Sequence, residues 1–214
     1  ESGERALESL IAKSKDFPGL TIVLGHAAIS GKPRLSIQSS DAIATNSATV
    51  FSNGTLIGRY DKQRLPNFDV FDDWRNFTPG DGELVFEVAG TKCAIAICED
   101  IWDADSTRSK ALKAQGVELL IVPNGSPYTR EKSSQRRTAA RNFASGMSLA
   151  YVNLAGGQDE LVFDGDSFLL DQNGHELVTA GLAPGLYTVA SYSVSQKNPH
   201  EELFEVLVIG LRDY

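Results

Sequence analysis

The run Ala94-Ile95-Ala96-Ile97 constrains this chain more than any other stretch, because four consecutive apolar residues leave no face of an extended strand for water. Such a strand is buried on both sides. Residues 103–115 then have helical composition and stop at Gly116, and Val117 to Val122 forms a second continuous apolar run. The pattern predicts a strand-helix-strand unit in a sheet that is covered from above and below.

The rest of the chain supplies hairpins and helices around that unit. Ala6, Leu7, Leu10 and Ile11 recur at helical spacing up to about Lys15, Pro18-Gly19 ends the pattern, and Leu20 to Leu24 reads as a buried strand. Residues 26–44, with Gly31, Pro33 and many serines, read as a loop. Thr49 to Phe51, the turn pair Asn53-Gly54 and Thr55 to Tyr60 predict one hairpin, and Glu83 to Val88 with Lys92 to Cys98 predict another. On residues 130–147, Ala140, Phe143, Ala144 and Met147 share a helical face, while Lys132, Arg136, Arg137 and Arg141 line what reads as a solvated charged face. Strands are expected at Leu149 to Leu154, Ser167 to Leu170 and Leu186 to Tyr192, with a turn at Asn173-Gly174, and a helix is expected after Pro199. Interleaved strands, helices and hairpins imply a mixed α/β sandwich rather than an all-parallel doubly wound sheet.

Charge and cysteine usage remove several function classes. The 214 residues carry a formal net charge of -8, which supplies no basic footprint for nucleic acid. No run approaches the roughly 18 apolar residues needed to span a bilayer, and the charged opening stretch has no signal-peptide pattern. A cytoplasmic protein that binds neither membrane nor nucleic acid is expected. Two cysteines make no disulfide framework, and His26, His175 and His200 are scattered without metal-ligand spacing, so no metal is predicted.

Cys98 closes the doubly buried strand, and Glu99-Asp100-Ile101-Trp102 starts a new direction, so the thiol is expected at a strand-to-helix turn where a helix N-terminus favours thiolate. Taken alone, a cysteine in an apolar strand reads as structural. Cys93 keeps that reading, and an offset of five residues puts it on the opposite strand face from Cys98. None of the histidines is recommended as a base by its context. A lone Lys62 at a strand end reads as a surface charge.

Four strings change this balance: Tyr60-Asp61-Lys62-Gln63-Arg64-Leu65-Pro66-Asn67, Ile97-Cys98-Glu99-Asp100-Ile101-Trp102, Asn124-Gly125-Ser126-Pro127-Tyr128, and the run from Gly156-Gly157-Gln158-Asp159-Glu160 to Gly165. In that order they resemble the glutaminase domain of glutamine-dependent NAD synthetases, within the nitrilase superfamily. The resemblance implies an α-β-β-α sandwich and a Glu, Lys and Cys triad, with Cys98 as nucleophile and Lys62 stabilising the oxyanion. It implies a glutamine pocket drawing on Glu99, Trp102, Ser126 and Tyr128. Phe68-Asp69-Val70-Phe71-Asp72-Asp73 stands where the family commonly shows Tyr-Gly-Val-Phe-Asp-Glu, so Phe68 brings a ring to the pocket without a hydroxyl.

In that family the general-base glutamate follows a first strand that precedes the opening helix, and no counterpart precedes Glu1; the expectation is a domain over residues 1–195 lacking its first strand. Residues 196–214 resemble the linker helix toward a synthetase domain. The resemblance implies no cofactor here, with ATP and magnesium belonging to that other domain, and it implies a homo-oligomer. A stand-alone nitrilase-type amidase or carbamoylase and a non-catalytic interaction module are the competing readings.

Overall fold

A computed structural model describes residues 2–29, 44–103, 107–188 and 198–213 of the chain. An opening helix α1 (Ser2–Lys13) leads through a short 3-10 turn into β1 (Thr21–Ile29), β2 (Ala44–Ser52) and β3 (Thr55–Asp61). These three strands form an antiparallel sheet in sequence order, with Thr21 opposite Ser52 and Ser47 opposite Asp61. The turn between β2 and β3 falls on Asn53-Gly54, where both residues take positive φ, as their side chains allow. His26 to Ile29, expected in a loop, continue β1 because β2 starts at Ala44 and gives them partners. The remainder of that expected loop, 30–43, lies outside the described residues.

After a single helical turn α2 (Asp73–Asn76), the chain builds a larger sheet from β4 (Val85–Val88), β5 (Thr91–Ile95), β6 (Leu119–Asn124), β7 (Ser148–Asn153), β10 (Phe168–Leu170) and β11 (Glu176–Thr179). Its order is β11-β10-β7-β6-β5-β4, with β5, β6 and β7 parallel and the outer strands antiparallel. Helix α3 (Thr107–Ala114) joins β5 to β6, and α4 (Lys132–Ala144) joins β6 to β7. Between β7 and β10 stands a separate hairpin, β8 (Ala155–Gln158) with β9 (Leu161–Asp164), for which the sequence shows no strand signal. A closing helix α5 (Pro199–Asp213) packs on this hairpin through Val206 and Ile209. Leu186 to Thr188 are not in a strand, and the rest of the strand expected there lies outside the described residues.

Two apolar layers hold the elements together. Ala94, Ala96, Leu120, Val122 and Leu149 face α3 and α4, meeting Leu112, Ala140 and Phe143. On the other side Cys93, Ile95 and Phe86 meet Ala48, Val50 and Tyr60 of the three-stranded sheet. This is why the run from Ala94 to Ile97 is apolar on both faces. Each fully buried Ile or Leu here contributes roughly 1.5–3 kcal/mol. With α1 outside the first sheet, the layers read α-β-β-α. Among the described residues no helix is long and apolar enough to cross a membrane.

Two readings are corrected by this packing. Cys93 and Cys98 belong to the same inter-sheet cluster, because the alternation of faces runs on past β5 to the extended Ile97 and breaks at Cys98, whose φ is 44°. Arg136 is not on a solvated face: it is fully buried, with Nη1 donating to both Asp164 oxygens at 2.8 Å and Nη2 donating to the carbonyls of Ser126 and Pro127. Arg137 is also mostly covered, paired with Asp166 and Glu176. Asp164→Ala, which leaves the buried Arg136 charge with only Asp166 at 3.9 Å, is expected to cost about 3–5 kcal/mol in urea unfolding, whereas replacing both Arg136 and Asp164 by leucine is expected to cost far less. Equal losses in the two variants would contradict the pairing.

Candidate functional site

Cys98 sits just beyond β5, at the first position of a 3-10 turn (Cys98–Ile101), with φ of 44°. A non-glycine residue in the left-handed region costs of order 1–3 kcal/mol and persists only where its surroundings impose it. Here the strand ends in the inter-sheet core, and the turn lifts the thiol out of the strand line. Burial pushes the thiol up to about 11, against the pull of Lys62, which lowers it. The thiolate-favouring helix N-terminus expected from sequence is thus a single tight turn that burial outweighs.

Lys62 follows β3 and is buried, not a surface charge. Its backbone is pinned on both sides: the amide donates to Asn46 O at 2.8 Å, and the carbonyl accepts from Gly80 N at 2.9 Å. A side chain at Gly80 would meet Asp61 O at 2.2 Å, so glycine is required for that approach. The ammonium donates to Asp73 Oδ2 at 2.6 Å, from the start of α2.

Lys62, Asp73 and Cys98 line one cavity of about 330 Å³, closed by Phe71, Asn46 and the β6 end at Pro123-Asn124-Gly125. That volume lies in the range of small-molecule sites, about 300–1,000 Å³. A neighbouring cavity of about 690 Å³ shares Phe71 and Gly125 with it and is bounded by the hairpin tip, Gln158 to Leu161. The four sequence strings therefore converge on one region of the molecule.

The remaining candidates occupy distinct places. Glu99 is half-buried; burial raises its carboxyl, and the charges of Lys62, Lys132 and Arg64 oppose that rise. Trp102 is half-buried and carries the Lys132 ammonium 4.5 Å from its ring centre. Ser126 is buried and turned toward α4, where its Oγ accepts from Arg136 Nε at 3.1 Å and its amide donates to Asn153 Oδ1 at 2.9 Å. Tyr128 packs on the cluster formed by Leu182, Val206 and Ile209. Phe68 is half exposed, edge-on to Phe71 at 6.0 Å, and it is Phe71 that reaches the cavity.

His26 pairs with Thr49 Oγ1 on the three-stranded sheet, while His175 and His200 are exposed. Sequence reasoning missed Asp73, although the Phe71-Asp72-Asp73 string placed an acid where the family carries glutamate. It also missed Lys132 as a neighbour of Trp102 and Glu99, for which no local signal exists.

Residues 19–191 match the carbon-nitrogen hydrolase family, and the chain belongs to that family. More particularly, it is similar to the glutamine-dependent NAD(+) synthetase of Acinetobacter baylyi, 34% identical over 190 residues that cover 83% of this chain and 35% of the relative. The enzyme of the same name from Xanthomonas campestris pv. campestris is 38% identical over 178 residues, covering 81% of this chain and 31% of its own length. The chain thus spans about a third of the curated relatives it matches. Among solved structures, glutamine-dependent NAD+ synthetase from Acinetobacter baumannii superposes with a TM-score of 0.83 at 32% identity, over 99% of this chain and 40% of that one. An amidase from Nesterenkonia sp. AN1 shares the fold at 22% identity, with a TM-score of 0.67 over 85% of this chain and 66% of that one.

A thiol held near 11 reacts through a small thiolate fraction. Alkylation of Cys98 by iodoacetamide, followed by peptide mass spectrometry, is expected to rise about tenfold per pH unit from about pH 8 to about pH 10 without a plateau. Lys62→Met is expected to slow it further. A plateau below about pH 8 would contradict the buried-thiol electrostatics.

Proposed function

We propose that this chain hydrolyses the side-chain amide of glutamine through a Cys98 thioester, supplying ammonia to ATP-dependent NAD synthesis from deamido-NAD in a larger enzyme. The observation that carries this reading is the placement of Cys98 and the buried Lys62 on one cavity, in a chain similar to glutamine-dependent synthetases. The chemistry uses these two groups together with a proton acceptor. The Cys98 sulfur, losing its proton, forms a bond to the amide carbon, and the carbonyl electrons move to oxygen. The Lys62 ammonium faces that negative oxygen and lowers the barrier. Collapse breaks the C–N bond, nitrogen takes a proton and leaves as ammonia, and water then cleaves the thioester to glutamate and free thiol.

Two features tune the lysine and the substrate. Asp73 fixes the direction of the Lys62 ammonium rather than serving as base, since its oxygen is already engaged at 2.6 Å. The resemblance assigns the proton acceptor to a general-base glutamate. Glu99 and Lys132, which bear on one another electrostatically beside Trp102, supply opposite charges for the zwitterionic end of glutamine. Helix α5 is the segment we assign to the link with the synthetase domain.

In the full-length protein, Cys98→Ala is expected to abolish ammonia release from glutamine, and Lys62→Met to lower kcat by about 10²–10³-fold. Unchanged release in the cysteine variant would overturn the thioester. Turnover of simple aliphatic amides with none of glutamine would instead favour a stand-alone amidase.

A further inference from the structure

Asp100 lies two residues beyond Cys98 and is 2% exposed. Its carboxylate accepts four hydrogen bonds from two separate segments. Oδ1 takes the Gln63 amide at 3.2 Å and the Arg64 amide at 2.8 Å, and Oδ2 takes the Tyr60 hydroxyl at 2.8 Å and the Ile97 amide at 2.8 Å. Three of these donors flank Lys62. The fourth belongs to the residue immediately before Cys98.

The two segments come from different sheets. Lys62 directly follows a strand of the three-stranded sheet, and Cys98 follows a strand of the six-stranded sheet. The sheets meet through an apolar layer, and apolar contact is non-directional, so it holds them together without fixing how one slides along the other. A carboxylate with four donors is directional. The Arg108 guanidinium braces this arrangement: it lies 3.9 Å from Asp100 Oδ2 and 4.9 Å from the Tyr60 ring centre, and it is tied to Glu83 and to Ile95 O.

We propose that Asp100 is a positioning residue that pins the Lys62 segment to the Cys98 turn, setting the place of the ammonium relative to the thiol across the two sheets. It also holds Ile97, and with it the strained backbone of Cys98, at the observed φ of 44°. This rests on the reading of Cys98 as nucleophile and Lys62 as oxyanion stabiliser. A misplacement of about 1 Å between such groups costs on the order of 10²-fold in rate.

The test is Asp100→Asn in the full-length protein, which keeps the shape of the side chain but turns one acceptor into a donor facing N–H or O–H groups. The expected result is a fall in kcat of about 10–100-fold with KM within about threefold. Alkylation of Cys98 by iodoacetamide at about pH 8 is expected to fall about 3–10-fold per folded molecule, because the displaced ammonium no longer favours the thiolate. A lower melting temperature with kcat and Cys98 alkylation unchanged per folded molecule would show a purely structural role and overturn the proposal. If Asp100→Asn does not fold, the decision passes to Tyr60→Phe, which removes one donor: about a 2–5-fold loss in kcat with slower alkylation is expected, and no change in either overturns the proposal. Ammonia release that survives Cys98→Ala would sink the functional reading instead, and the alkylation comparison would still decide the role of Asp100.

Discussion

A buried ammonium needs a counter-charge within hydrogen-bond reach, and the site is organised around that requirement. Lys62 is 3% exposed, and taking its charge out of water is tolerated because Asp73 receives the ammonium at 2.6 Å. The need to bring Asp73 to Lys62 explains why the chain breaks after β3 into the irregular stretch ending in α2. It also explains Gly80, whose amide must reach Lys62 O with no room for a side chain. The pair then forms part of the wall of the cavity that Cys98 also lines.

A second buried pair works on the far side. Arg136 and Asp164 join α4 to the β8–β9 hairpin and draw in the carbonyls of Ser126 and Pro127, so the loop after β6 is fixed from beneath. The hairpin tip and Gly125 then bound the larger cavity, which adjoins, through Phe71 and Gly125, the one that Cys98 lines. Ion pairs of this kind add little net stability compared with apolar side chains of similar volume, but they are directional. In this chain they place loops, while the apolar layers above and below β5 and β6 supply the cohesion.

What the sequence made legible was whatever is decided locally. The apolar runs of β5 and β6 announced burial on both faces, Asn53-Gly54 announced its turn, and Gly116 ended α3, because strand burial and positive φ are written in neighbouring residues. Arg136 was misread because its partner Asp164 is 28 residues away and helical spacing cannot distinguish a charge that faces water from one that faces a carboxylate. The same reason hid the β8–β9 hairpin, whose glycine-rich strand shows no alternation, and Asp73, whose role depends on Lys62. Cys98 and Lys62 themselves read as a structural thiol and a surface charge from local context. Their meeting was legible only through the ordered family strings, and Cys98 shows how a face assignment fails when the backbone leaves the extended region at the residue in question.

The covalent intermediate is the central claim, and trapping it is the most direct test. The full-length protein, mixed with glutamine and quenched in acid within its first turnover, would be digested and its Cys98 peptide weighed. A mass gain of one glutamyl group on that peptide, discharged by hydroxylamine to γ-glutamyl hydroxamate, is the predicted result. Ammonia released at full rate with the Cys98 peptide unmodified, or with the adduct on another residue, would contradict the account.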